Sequence, residues 1–268
     1  MMRLMRADMY RIFRGKAIYI TFALMLLTII LTVLVFRIAP STGVSVGVGD
    51  AELGSAMPVA TETMNGSIAA RIALVSMNIL FYFSLPLIVA VAMAAFSSGA
   101  VKNELSVGIS RIQFYFSKWI LSTALCFAFM FLYLSLSALL AIGVDGLGYW
   151  GSGYFADILK SFGMQMFFMA AINSLGISLC FITRKTAAAI GIYIAFALVP
   201  MILVGLLSVA FPGAGTYLNF DLINQFNIFA HVSDLSRTDF VRGIAVGLAY
   251  LLIPATLGIM VFRKAEIK

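Results

Sequence analysis

The chain offers few side chains able to make or break a bond. Its one histidine, His231, stands near Asp234 and Asp239. Imidazole beside carboxylate could hold a cation, but a metal site wants three or four ligands at set spacing, and no HExxH pattern is present. His231 is therefore expected to be a solvated loop residue. Cys126 and Cys180 stand apart, in neither a CxxC pair nor the company of the histidine, and read as small buried hydrophobes. A serine-nucleophile elbow is not expected. The phosphate loop GxxxxGK[ST] occurs nowhere, so the chain has no such route to ATP of its own. The stretch 43-GVSVGVGD-50 has G-x-G spacing, but without the strand, third glycine and helix of a dinucleotide fingerprint. An enzyme acting alone is not expected, nor is a directly bound metal or cofactor.

What remains is charge at the edges of an oily body. Of 268 residues, 62% are hydrophobic and 11% charged, with a mean hydropathy of +1.05. A soluble domain carries about 25% charged residues, so a chain this apolar belongs in lipid. Six stretches, near 17–36, 74–96, 119–142, 161–182, 187–210 and 243–262, lack Asp, Glu, Lys and Arg. Each approaches the roughly 17 to 25 residues that a spanning helix needs. Their apolarity is continuous, not alternating as in a barrel strand. The expected fold class is an all-α integral membrane protein, one domain over 1–268, with six transmembrane helices. The first run is too long for a signal peptide, and 37-RIAPSTG-43 is a poor cleavage site, so that run is expected to be retained.

Six spans put both termini on one side. That side carries thirteen Lys and Arg against three acids, and the other carries five against eight. Positive charge in short loops stays cytoplasmic, which predicts both termini inside. Topology and anionic lipid account for the net charge of +7, and nucleic acid is not expected as a partner.

Local patterns refine this outline. In 2-MRLMRADMYRIFRG-15, helical spacing gathers Leu4, Met5, Met9, Ile12 and Phe13 on one half and Arg3, Arg6, Tyr10, Arg11 and Arg14 on the other. This predicts an interfacial amphipathic helix over 1–16, with Gly15 at the bend into the first span. The segment 211–242 is too polar to span and too apolar to float, which predicts short helices at the outer interface. Pro86, Pro200 and Pro254 fall in spans, where proline can kink a helix. Gly243 and Gly247 form a G-x-x-x-G that permits close helix contact. Deep in the spans lie neutral polar residues only: Asn78, Ser84, Gln165, Asn173, Ser174 and Ser178. They are expected either to bond across helices or to line a pathway.

The richest polar stretch is 102-KNELSVGISRIQFYFSKW-119. Its first part can form about two helical turns with Val101 and Leu105 on one face, ended by Gly108. A helix this short is unstable alone and must dock on something. An aromatic shelf, Phe114, Tyr115, Phe116 and Trp119, joins it to the third span.

At these residues the chain resembles the bacterial ABC-2-type permeases, the membrane subunits of ATP-driven transporters. The resemblance rests on the opening MRADMYRIFRG, the six spans and the segment KNELSVGISR after the second span. Glu104, Gly108, Ser110 and Arg111 match an E-x-x-x-G-x-[ST]-R loop. The resemblance implies a cytoplasmic coupling helix within 97–118, seated in a separate ABC ATPase that holds ATP and Mg. It implies a second permease, the same or a homologous chain, and a bacterial plasma membrane location. An amphipathic or hydrophobic export substrate (a peptide, bacteriocin or drug) fits the uncharged, Met- and Phe-rich interior. An ion-coupled secondary transporter would want a carboxylate inside a span. A non-transporting sensor or immunity subunit fits the same composition.

Overall fold

The computed structural model describes residues 2–42, 65–97, 99, 101, 104, 106, 108–211 and 214–264. The expectations for 43–64, and for Lys102, Asn103 and Leu105, lie outside these. Among the described residues the chain is all helical, with no strand. Its helices are α1 (Met2–Arg14), α2 (Lys16–Thr42), α3 (Gly66–Val75), α4 (Leu80–Ser97), α5 (Arg111–Asp145), α6 (Ser152–Thr183), α7 (Thr186–Ala210), α8 (Leu222–Ile228) and α9 (Arg237–Lys264). A 3₁₀ turn over Ser76–Ile79 joins α3 to α4 as one rod, and two more, Ala214–Phe220 and Phe229–Asp234, flank α8.

Among the described residues, six helices are long and apolar enough to cross a membrane: Lys16–Val35, Gly66–Phe96, Arg111–Asp145, Ser152–Thr183, Thr186–Leu207 and Arg237–Lys264. That is the architecture of a multi-pass membrane protein. Several outrun their apolar stretches. At 1.5 Å per residue, α5 with its 35 residues is about 52 Å long, against about 30 Å of hydrocarbon. Backbone hydrogen bonding propagates a helix regardless of side-chain polarity, so polar ends continue past the apolar run. Residues 66–73 and 152–160, which lie outside the six apolar stretches, are helical for this reason. The six helices consequently do carry charged residues, Arg71, Lys118, Asp157 and Lys160 among them.

The central helix is α6. Of its most apolar stretch 72% is buried, against 17% for α7 and 22% for α2 and α9, whose outer faces are exposed. Two aromatic clusters fasten the ends. At one end Phe96, Phe114, Tyr115, Phe181 and Phe262 join α4, α5, α6 and α9. The expected shelf is therefore split: Phe114 and Tyr115 are buried in the core, while Phe116 is exposed. At the other end Phe168, Phe226, Phe229 and Phe240 bring the segment after α7 onto α6 and α9.

The last helix packs on α6 and on the Phe229–Asp234 turn through small residues. A Cβ on Gly243 would collide with the Phe229 ring, and one on Gly247 with the Phe167 ring. A Cβ on Gly258 would lie 3.0 Å from the Ser178 hydroxyl. The G-x-x-x-G thus serves a contact within this chain. Gly247→Val is expected to overpack this seam and lower unfolding free energy by about 1–3 kcal/mol, read by SDS titration of the purified protein in mild detergent. Phe167→Ala in the same chain should restore part of it, and an unaltered midpoint in Gly247→Val would contradict the packing. Pro86, Pro200 and Pro254 lie inside α4, α7 and α9, each of which continues through its proline.

Candidate functional site

The foot of the bundle, where α1, the segment after α4, the start of α5 and the end of α9 meet, holds the matched loop. Each motif residue has its own local task. Gly108 takes φ +92°, a left-handed conformation that side chains disfavour and glycine accepts. Ser110 caps α5: its hydroxyl accepts from the Gln113 amide at 3.2 Å, and the Gln113 side chain accepts from the Ser110 amide at 3.3 Å. This reciprocal capping box satisfies two amides that a helix start leaves idle. Arg111 reaches across to α9, and its Nη1 donates to the carbonyls of Arg263 at 2.6 Å and Phe262 at 3.1 Å. A guanidinium suits the negative end of a helix dipole, so Arg111 pins the last helix to the third span.

Glu104 is the fourth motif residue, and it does not stand alone. Val101, Glu104 and Ser106 are helical, with Val101 buried and Ser106 exposed. The Glu104 carboxylate is half-buried within the field of Asp8, Arg11 and Lys118. Burial is the main cause that holds its pKa above the ordinary value; Asp8 adds to it, while Lys118 and Arg11 oppose it. Its Oε2 has no hydrogen-bond partner among the described residues.

The other three charges are closely bonded. Asp8 accepts from the Lys118 ammonium at 2.5 Å and from Arg11 at 2.7 Å. The Lys118 side chain is 0% exposed and that of Asp8 4%, and Lys118 also lies 5.0 Å from the centre of the Phe114 ring. An ammonium removed from water needs a counter-ion, and this requirement decides how α1 sits. Its docked face is Met5, Asp8 and Ile12, while Met9 and Phe13 of the expected apolar half are exposed. At helical spacing Asp8 falls between Leu4 and Ile12, so the docked face lies within the expected apolar half, with Met9 and Phe13 toward its outer edge. Sequence reasoning overlooked Asp8 and Lys118; the available signal was one acid in an otherwise basic opening, facing a lysine at the very edge of an apolar run.

A second ion pair closes the opposite end. Arg71 meets Asp157 at 2.6 Å and donates to the Ala230 carbonyl at 3.2 Å, with its guanidinium 5.0 Å from the Tyr154 ring centre. Asp157 also accepts from the Ser233 hydroxyl.

Most of the deep polar residues are spent on neighbouring helices, although the buried Gln165 Oε1 has no hydrogen-bond partner among the described residues. Asn173 of α6 accepts from Ser122 at 2.5 Å and donates to Thr123 Oγ1 at 2.6 Å and the Trp119 carbonyl at 3.2 Å, all on α5. Ser178 bonds Tyr115 and the Ser174 carbonyl. Ser84 bonds Tyr193 and the Phe81 carbonyl. Gln165 donates to the carbonyls of Leu74 and Phe226. Asn78 sits half-buried in the turn between α3 and α4. A cavity beside Ser84, lined by Leu87, Cys126, Phe129 and Met169, has a volume of about 10 Å³, room for about one water.

No group of three or more metal-ligating side chains occurs among the described residues. The letters G-x-S-x-G do occur, over 43–47, against the expectation from sequence. They fall outside the described residues, and a nucleophile elbow also needs a strand leading into its turn. No protein-family model matches this chain, and no curated protein matches it.

Proposed function

We propose that this protein is the permease subunit of an ATP-driven transporter of the ABC exporter kind, moved from its foot by a separate ATPase. The carrying observation is the placement of Glu104, Gly108, Ser110 and Arg111 at one junction. A push on the turn at Gly108 would act on α5 through its Ser110 cap and on α9 through Arg111. Such a junction converts a small displacement into rocking of two spans. In this reading ATP and Mg are bound by the partner ATPase, both termini face the cytoplasm of a bacterium, and the interfacial helix rests on anionic lipid.

The pathway belongs between two permease chains, because the bonds of Ser84, Asn173 and Ser178 close on neighbouring helices. An amphipathic or hydrophobic substrate, such as a peptide, bacteriocin or drug, suits walls without charge. An ion-coupled transporter is less well supported: the Asp8–Lys118 and Arg71–Asp157 pairs are buried, but each is closed on itself near one end of the bundle. A non-transporting sensor or immunity subunit would need no motor and is separated by the same experiment.

The test is affinity purification of the tagged chain from its native membrane. An ATPase should accompany it, with hydrolysis that depends on the permease. Glu104→Ala should leave the amount in the membrane unchanged and lower ATPase recovery about tenfold, the effect of roughly 1.4 kcal/mol at the contact. Unchanged recovery together with unchanged hydrolysis would overturn the reading.

A further inference from the structure

The two helices that end at the foot, α6 and α9, bring their C-termini side by side. The rings of Phe181 and Phe262 meet edge to face at 4.8 Å, and one turn above them the Gly258 backbone packs on Ser178. Lys and Arg near a helix end ordinarily serve its last carbonyls and its negative dipole. Here other groups serve the carbonyls. Arg111 donates to those of Phe262 and Arg263, and α6 is closed by the Arg184 amide on the Cys180 carbonyl and by the Thr183 hydroxyl. Lys185, Arg263 and Lys264 are exposed, and their side chains form no hydrogen bond or ion pair among the described residues. The described acids at this end, Asp8 and Glu104, belong to the cluster around Lys118. Two helix ends together contribute a charge of about −1, which leaves these three cations largely unanswered.

The surface above the cations is apolar. On α9 the exposed Ile253, Leu257 and Met260 stand at i, i+4 and i+7, and Lys264 continues that stripe at i+11. The neighbouring α7 touches α9 where the Phe196 and Tyr250 rings lie 5.5 Å apart. About three turns below that contact on α7 comes Lys185, and about four turns below it on α9 comes Lys264. We propose that Lys185, Arg263 and Lys264 form a head-group site for one anionic phospholipid, whose phosphate sits among the cations and whose acyl chains lie along Ile253, Leu257 and Met260. A free anion would use the cations and leave the stripe idle; a phospholipid matches both. The site differs from the diffuse attraction of α1 for anionic lipid in being local and saturable. It needs no ATPase, so it stands or falls apart from the transporter reading.

Native mass spectrometry of the purified, delipidated protein in mild detergent tests it, with phosphatidylglycerol, phosphatidylcholine and inorganic phosphate as probes. The wild type should hold one phosphatidylglycerol per chain about tenfold more tightly than phosphatidylcholine, and millimolar phosphate should not displace it. Lys185→Gln/Arg263→Gln/Lys264→Gln should abolish the preference. Lys185→Arg/Arg263→Lys/Lys264→Arg keeps the charge and should retain it. Arg6→Gln/Arg14→Gln/Lys16→Gln removes the same charge from exposed positions on α1 and α2, and should leave the preference intact. Leu257→Ser/Met260→Ser spares the cations and should weaken phosphatidylglycerol severalfold. No preference in the wild type would assign the cations to an acidic protein surface instead, and displacement by phosphate would make this a free-anion site. Either result would overturn the proposal, as would a preference that survives the glutamine triple, an equal loss in the control triple, or indifference to the serine pair.

Discussion

Asp8→Ala is expected to be among the most damaging single substitutions in the protein, lowering unfolding free energy by about 3–5 kcal/mol. The loss does not measure a strong attraction. It arises because Lys118, 0% exposed in its side chain, would be left as an uncompensated charge in an apolar site. The pair as a whole is a different matter, since replacing a buried ion pair by well-packed apolar residues is often neutral or stabilising. Asp8→Ala/Lys118→Met should therefore recover most of the loss, and Lys118→Met alone should cost less than Asp8→Ala, because Arg11 still serves Asp8. SDS-titrated unfolding of the four proteins, with wild type, gives the cycle directly. If Asp8→Ala unfolds at the wild-type midpoint, Lys118 is not desolvated and the docked position of α1 is wrong.

The second large effect is expected at the other end of the bundle, from Arg71→Met, at about 2–4 kcal/mol. That substitution keeps an apolar stem of similar length but removes three interactions at once: the pair with Asp157, the bond to the Ala230 carbonyl and the stacking on Tyr154. Asp157→Asn should cost distinctly less, since Arg71 retains the carbonyl and the ring, and Ser233 can still bond the amide. The two losses should be non-additive, because the residues share a contact. Loss of hydrogen-exchange protection should concentrate in Phe229–Asp234, which Arg71 ties to α3 through the Ala230 carbonyl. Uniform loss across the bundle, or equal costs for the two substitutions, would contradict a local clamp.

These expectations show where reading the sequence ended. Composition and continuous apolarity determined the class: only helices satisfy their own backbone in lipid, so six charge-free runs could mean little else. Gly108 as the end of the short helix was legible as well, because glycine's tolerance of a left-handed turn is a local property. The capping box of Ser110 and Gln113 is equally local, yet the sequence reading matched Ser110 only to the coupling loop and missed it. Helix ends were not legible, since a helix continues past the apolar run that reveals it, and Arg71, Lys118 and Asp157 were thereby counted as loop charges.

What only the tertiary structure decided is the pairing of residues far apart in the chain. Asp8 finds Lys118 across 110 positions, and Arg111 finds the carbonyl of Arg263 across 152. Nothing in local spacing fixes such partners. They follow from how helices cross, and from the steep cost of leaving a charge unpaired where water is excluded. The same cost seats Asp8 on the apolar side of α1 beside Ile12, where the buried Lys118 meets it.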